Sequence, residues 1–247
     1  MKADPAAQAR LLDLQALDSA LDRLAARRRS LPELAEIERL DAALGRLAEE
    51  VVRAETEVGD IARRQTRLEN EVDLVRARSD RDRHRLDSGR VGSPRELENL
   101  QSEIASLGRR QGVLEDELLE VMEGREVVEG RGAALRAERA QVAAQREAAL
   151  ARRDTAFEEI DAQAAQRRAA REHLAPQLPT ELVALYERIR ASSGGVGAAA
   201  LVRRRCEGCH LELSGADLRT VAAAPPDEVL RCEECRRVLV RTAESGL

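Results

Sequence analysis

Leucines at positions 14, 17, 21 and 24 return every three or four residues, a spacing that sets them on one face of a helix from Pro5 to Arg29. From residue 37 the repeat becomes stricter. Ile37, Leu44, Val51, Val58, Gln65 and Val72 share one heptad position, and Leu40, Leu47, Ala54, Ile61, Leu68 and Val75 share the other. Gln65 is the single polar member, so the stretch predicts a coiled-coil seam. A second run begins with Leu97, Leu100, Ile104, Leu107, Leu114, Leu118 and Val121 and carries one position onward through Val128, Leu135 and Val142. The other position weakens to Arg125, Gly132 and Arg139, and a fresh phase starts at Leu150, Phe157, Ile160 and Ala164.

Proline and glycine punctuate this pattern. Ser30-Leu31-Pro32-Glu33 has the Ser-x-x-Glu form of a capping box and predicts a kink or restart near 30–32. Ser88-Gly89-Arg90-Val91-Gly92-Ser93-Pro94 is the clear chain-reversal signal, with proline placed to open the next helix. No proline falls between Glu33 and Ser93 or between Arg95 and Ala175, so both flanks read as unbroken helix. The expectation is an antiparallel hairpin with its tip near 88–94, pairing Val75 with Leu107, Leu40 with Val142 and Pro32 with Leu150. Two arms of about 80 residues would extend about 120 Å at ~1.5 Å per residue. Glycines at 108, 112, 124, 130 and 132 should make the second arm the softer one.

Pro176 and Pro179 end the long arm, and a short helix is expected over 180–191. Residues 1–191 are thus assigned to the hairpin with that helix. Residues 192–197, Ser-Ser-Gly-Gly-Val-Gly, read as a flexible joint, and 198–247 as a small terminal module. The apolar seam lies within residues 33–170, so the hairpin is expected to fold without that module.

Composition supports a rod over a globule. One Phe, one Tyr and no Trp cannot fill a wide core, and 35% charged residues match a coiled coil. No run of about 18 apolar residues and no basic-then-apolar start marks a membrane span or secretory signal, so no membrane partner and a cytoplasmic setting are expected. A net charge of −5 restricts any nucleic-acid contact to local patches.

The candidate chemistry lies in the terminal module. Cys206-Glu207-Gly208-Cys209 and Cys232-Glu233-Glu234-Cys235 are two CxxC turns, each able to aim two thiolates at one point. Together they predict a closed tetrahedral zinc site, one structural ion per chain, with no open coordination position. His210 is read as a spare. Short strands are expected at 200–205, 211–213, 229–231 and 238–241, with a short helix from Ser214 before Pro225-Pro226. The architecture is therefore mostly α: a long antiparallel coiled-coil hairpin followed by a small four-cysteine zinc ribbon.

Two arginine groups are candidates for phosphate. Arg203, Arg204, Arg205, Arg231, Arg236 and Arg237 flank the cysteines. Arg83, Arg85 and Arg90 belong to a cluster near the tip that aspartates dilute. Both groups also suit a structural role, in one case offsetting the anionic metal centre and in the other solvating a helix. No catalytic motif is present, and no catalytic residue, small-molecule substrate or organic cofactor is assigned.

Ser93 to Ile104, Ala184 to Arg190, and the block running from CEGCH to VLRCEECRRVLV resemble the bacterial C4-type zinc-ribbon, coiled-coil hairpin proteins over essentially the whole chain. The resemblance implies a long hairpin with a ribbon at its open end. For some members it implies control of gene expression through flagellin messenger RNA or the nitrogen-type alternative sigma factor. Arginine-rich, lysine-poor usage suggests an actinobacterial member. The expected function is a non-enzymatic adaptor or regulator with RNA and a transcription- or translation-related protein as partners. A polymerase secondary-channel factor and a structural spacer are the alternatives. The first of these is disfavoured because Asp87 sits among Arg85, Arg90 and Arg95, the wrong charge for a tip that works beside a catalytic metal.

Overall fold

The computed structural model describes residues 1–247, which divide into two compact units, Ala35–Leu150 and Met1–Leu34 with Ala151–Leu247. Two helices run through both units: α2, Pro32–Asp87, and α3, Pro94–Leu174.

Within Ala35–Leu150, α2 and α3 pair across an apolar seam. Leu68, Val72, Leu114 and Val121 are buried there, with Ile61, Val75 and Leu118 packed against them. At the turn, Gly89 takes φ +64°, a conformation that glycine adopts at no steric cost. Ser93 then caps α3: its Oγ accepts the Glu96 N–H at 3.3 Å, while the Glu96 carboxylate accepts the Gly92 N–H at 3.0 Å. The reciprocal Ser-x-x-Glu bond expected at Ser30 thus forms here instead. Ser30 closes the preceding helix, donating its hydroxyl to the Ala26 carbonyl at 3.1 Å, and Pro32 opens α2.

Ion pairs follow the seam. Arg85 meets Glu96, Arg78 meets Glu103 and Arg110 meets Glu71 near the turn; farther along, Arg131 meets Glu57 and Arg146 meets Asp41. These exposed pairs set register more than stability. The register departs from the constant pairing expected from sequence, which places Ala54 opposite Val128. Instead Ala54 lies one turn on, where a Cβ at Gly132 would approach its Cβ to 3.6 Å. Gly132 removes a side chain from the seam, and buried Ala54 occupies that space. The seam's one polar member, Gln65, accepts a hydrogen bond from Arg125 Nη1 at 3.2 Å. Of the five second-arm glycines, Gly132 alone meets a neighbouring helix; Gly108, Gly112, Gly124 and Gly130 face open space.

The other unit gathers α1 (Pro5–Arg29), the end of α3, a 3-10 turn at Ala175–Gln177, α4 (Thr180–Ser192) and a sheet. Asp4 caps α1 by accepting the Ala6 N–H at 2.7 Å, with Pro5 at the first helical position. The sheet contains β1 (Ala198–Val202), β2 (Arg205–Cys206), β3 (Leu230–Arg231) and β4 (Val238–Arg241) in the order β2-β1-β4-β3, and α5 spans Gly215–Ala223. Strands β1 and β4 are parallel, and the two outer pairings are antiparallel. The segment expected as a strand at 211–213 makes only one bridge, Glu212 to Arg205. The first residues of the chain join as well: the Ala3 N–H donates to Asp227 O at 2.8 Å and the Val229 N–H to Met1 O at 3.1 Å.

Side chains alternate across β1 and β4, and the two faces serve different cores. Ala198, Val238 and Val240 pack with Leu11, Leu14, Leu182, Tyr186 and Ile189 from α1 and α4. Ala199, Leu201 and Leu239 face Cys206, Cys232 and Val221. The terminal module and α1 therefore share a core, while the seam between α2 and α3 is a separate one. The expected face of α1 shifts too: Leu11, Leu14, Gln15 and Asp18 are buried, while Leu17, Leu21 and Leu24 are only partly so.

The segment at 192–197 is held in place, not free. Gln15 Nε2 donates to Gly195 O at 3.0 Å, and Gln15 Oε1 accepts the Gly197 N–H at 2.7 Å. A Cβ on Gly197 would lie 2.6 Å from the backbone oxygen of Tyr186 and 2.7 Å from its ring. Gly197→Ala is therefore expected to destabilise this unit by about 2–4 kcal/mol, since a buried backbone atom cannot yield as a side chain can. Thermal unfolding followed by circular dichroism, with wild-type-like behaviour as the contrary result, checks this.

Candidate metal centre

Each CxxC pair forms the same backbone knuckle. In the first, the His210 N–H donates to Cys206 O at 2.7 Å and the Cys206 N–H to Leu211 O at 3.0 Å. In the second, the Arg236 N–H donates to Cys232 O at 2.8 Å and the Cys232 N–H to Arg237 O at 3.0 Å. The residue after each second cysteine takes a left-handed φ, +60° at His210 and +62° at Arg236. His210 is thus a turn residue whose exposed ring lies 3.8 Å from Glu207.

The four sulfurs lie within 4.8 Å of one another. Cys206 and Cys235 are 3.9 Å apart, as are Cys209 and Cys232. A tetrahedral Zn–S bond of about 2.3 Å requires sulfurs about 3.8 Å apart, so the donor set fits zinc. As thiols the four differ. Burial pushes Cys206 up to about 12 and also raises Cys232. At Cys235 burial is outweighed by hydrogen bonds from Arg237 and neighbouring thiols, which bring it down to about 7. Backbone N–H groups of Gly208 and Cys209 point at Cys206, and those of Glu234 and Cys235 at Cys232, which favours the thiolate form that a metal requires. Four thiolates close the coordination shell, so such a metal organises structure.

This defines a closed four-cysteine zinc ribbon carried on a helical hairpin. Residues 14–194 match the CT398-like coiled-coil hairpin domain and residues 205–239 the C4-type zinc ribbon domain, and the chain belongs to the CT398-like hairpin family with its C4-type ribbon. A protein of two Mycobacterium tuberculosis strains is 40% identical over 123 residues, which is 50% of this chain and 50% of the relative, so the match spans about half the length of those curated relatives. A solved Mycobacterium smegmatis structure is 33% identical, with TM-score 0.86 over 98% of this chain and 100% of that one. The structure of CT398 from Chlamydia trachomatis shares the fold at 19% identity, TM-score 0.69, over 96% of this chain and 98% of that one.

The arginines flanking the cysteines divide by role. Arg237, one of the arginines read as candidates for phosphate, serves as a structural staple. It donates Nε to Val196 O at 3.0 Å, Nη1 to Gly208 O at 2.9 Å and Nη2 to Ser193 O at 2.8 Å. Its stem explains Gly208, where a Cβ would lie 2.8 Å from Arg237 Cδ. Arg236 pairs with Glu233 at 3.2 Å, and Arg231 Nε donates to Arg236 O at 2.8 Å. Arg203, Arg204 and Arg205 are exposed and make no ion pair. Arg203 and Arg204 form the tight β1–β2 turn with φ +46° and +65°, and Arg205 opens β2. At the hairpin turn, Arg83 lies 3.7 Å from Asp80 and Arg85 meets Glu96, while Arg90 makes no ion pair.

Sequence patterning missed a buried polar cluster. Asp18 Oδ2 accepts the Tyr186 hydroxyl at 2.7 Å, and Asp18 Oδ1 accepts Arg171 Nε at 2.7 Å. Arg190 approaches Asp18 to 3.7 Å and pairs with Asp22 at 2.6 Å. The signal was an acid standing four residues after Leu14, on the apolar face of α1.

Proposed function

We propose that this protein is a non-enzymatic adaptor whose ribbon contacts RNA through Arg203, Arg204 and Arg205, and that it joins this RNA to a protein partner of transcription or translation. The observation that carries the reading is the contrast among arginines. Most at the hairpin turn are matched to acids, and Arg237 is consumed by carbonyls, but these three consecutive guanidinium groups stand exposed and without an acidic partner on a turn of fixed backbone. Such forks suit phosphate oxygens. The family joins a coiled-coil hairpin to a zinc ribbon and is not a known enzyme family, which agrees with a binding role.

Exposed apolar side chains would favour the spacer reading. Val52, Leu74, Val113, Leu119, Met122 and Val127 are exposed, but only Leu119 and Met122 stand one turn apart, too few for an extended apolar face. Replacing Arg203, Arg204 and Arg205 together by glutamine is expected to weaken RNA retention at low salt and to flatten the salt slope by about 0.7 for each phosphate no longer neutralised. Zinc content and helicity should not change. Equal retention by wild type and variant in filter binding would overturn the proposal.

A further inference from the structure

We propose that the cleft between α5 and the end of the chain seats a segment of single-stranded RNA, with one phosphodiester against Arg204 and Arg219 and the adjoining base against Leu218 and Ala222. This rests on the reading of the ribbon as an RNA-contacting surface and gives it a location and a strand preference. The cleft is a shallow, open one of about 240 Å³ between these side chains and Gly246 and Leu247.

Its two cations are available and positioned. Arg204 donates Nε to Gly246 O at 3.3 Å, which orients the guanidinium and leaves its terminal nitrogens for a ligand. Its backbone is pinned: the Arg203 N–H donates to Glu244 O at 2.7 Å and the Arg204 N–H to Ser245 O at 2.8 Å. Arg219 lies back over Gly215, where a Cβ would come within 3.9 Å of Nη1, and makes no ion pair. Neither guanidinium pairs with an acidic side chain.

The apolar wall of the cleft decides the strand type. Leu218 and Ala222 stand one turn apart on α5 and offer neither donor nor acceptor, so nothing there can read the edge of a stacked base pair. What such a wall accepts is the face of an unstacked base, flanked by guanidinium planes on which bases also stack. Duplex RNA keeps its base faces covered, whereas a single strand presents them. An acidic peptide has no planar face for the wall and is the competing occupant.

The test compares a single-stranded RNA oligonucleotide, its duplex and poly-glutamate on the full zinc-loaded chain, with Arg219→Gln and Leu218→Ser as variants outside the three-arginine turn. Wild type should bind the single strand about tenfold more tightly than the duplex. Arg219→Gln should reduce single-strand affinity and lower the salt slope by about 0.7. Leu218→Ser should reduce single-strand affinity at an unchanged slope, with zinc content and helicity confirming that both variants fold. Equal binding of duplex and single strand, unaltered binding by both variants, or displacement of RNA by poly-glutamate at equal charge would overturn the cleft. If the three-arginine variant loses RNA while Arg219→Gln and Leu218→Ser do not, only the cleft fails; if wild type retains no RNA, the function proposed above fails first.

Discussion

Replacing Cys232 with serine is expected to abolish metal binding and unfold the sheet, while residues 35–150 remain helical. Cys232 is almost fully buried and follows β3 directly, and its sulfur receives the N–H groups of Glu234 and Cys235. The core around the thiols buries Ala199, Leu201, Val221 and Leu239 beside Cys206 and Cys232, with Leu213 and Leu230 half-buried against them, too little apolar surface to fold unaided. Structural zinc contributes about 10–16 kcal/mol in small zinc modules, as much as the entire stability of an ordinary domain. Because β1 and β4 also present Ala198, Val238 and Val240 to α1 and α4, the loss reaches the second core. Metal analysis, with nuclear magnetic resonance of the Val238 and Val240 methyl groups, checks this; native methyl shifts in a zinc-free variant would contradict it. The metal takes thiolates, so acidification should release it as protons compete for the sulfurs.

Asp18→Ala should cost about 3–5 kcal/mol, the usual penalty for removing one member of a buried ion pair. The variant strands the Tyr186 hydroxyl in a fully buried position, removes the acceptor of Arg171 Nε, and leaves Arg190 with Asp22 alone. Asp18→Asn, which keeps an acceptor for Tyr186, should cost less. The same cluster sets an alkaline limit. Burial, reinforced by the hydrogen bond to Asp18, raises the Tyr186 phenol well above its ordinary value. A raised folded-state value gives stability that is fully present below about pH 10 and is lost as pH climbs beyond it. Chemical denaturation from pH 7 to 11 should show that decline in wild type and a flatter profile in Tyr186→Phe.

Local regularities were legible in the sequence and long-range exceptions were not. Heptads at Leu68, Val72, Leu114 and Val121, the turn at 88–94 and the two CxxC pairs each follow from spacing within a few residues, and the structure places all of them as read. The slip that brings Ala54 to Gly132 could not be seen, because it depends on how two helices share the volume of one missing side chain. The fixed state of residues 192–197 was equally hidden. Three glycines suggest freedom, yet Gln15, some 180 residues away, supplies the bonds that hold them. Arg237 looked like its neighbours in composition, and only the three carbonyls around it mark its different task. Period-two alternation in β1 and β4 was visible in principle, but five- and four-residue strands are too short to announce that both faces are covered.

The unit built from Met1–Leu34 and Ala151–Leu247 is discontinuous in the chain, and this prescribes an order of folding. Asp18 must find Arg171 across 153 residues, and Lys2 must find Asp227 across 225. Closing such loops in a disordered chain carries a large entropic cost before any bond offsets it. Zipping of α2 against α3 from the Gly89 turn needs only neighbours at first and ends with Asp41 beside Arg146, which leaves the two flanking segments a short effective distance apart. On the ribosome the same logic makes α1 wait. Its buried face has no partner until Tyr186, Val238 and Val240 emerge, so Leu11 and Leu14 stay uncovered until those residues have been made.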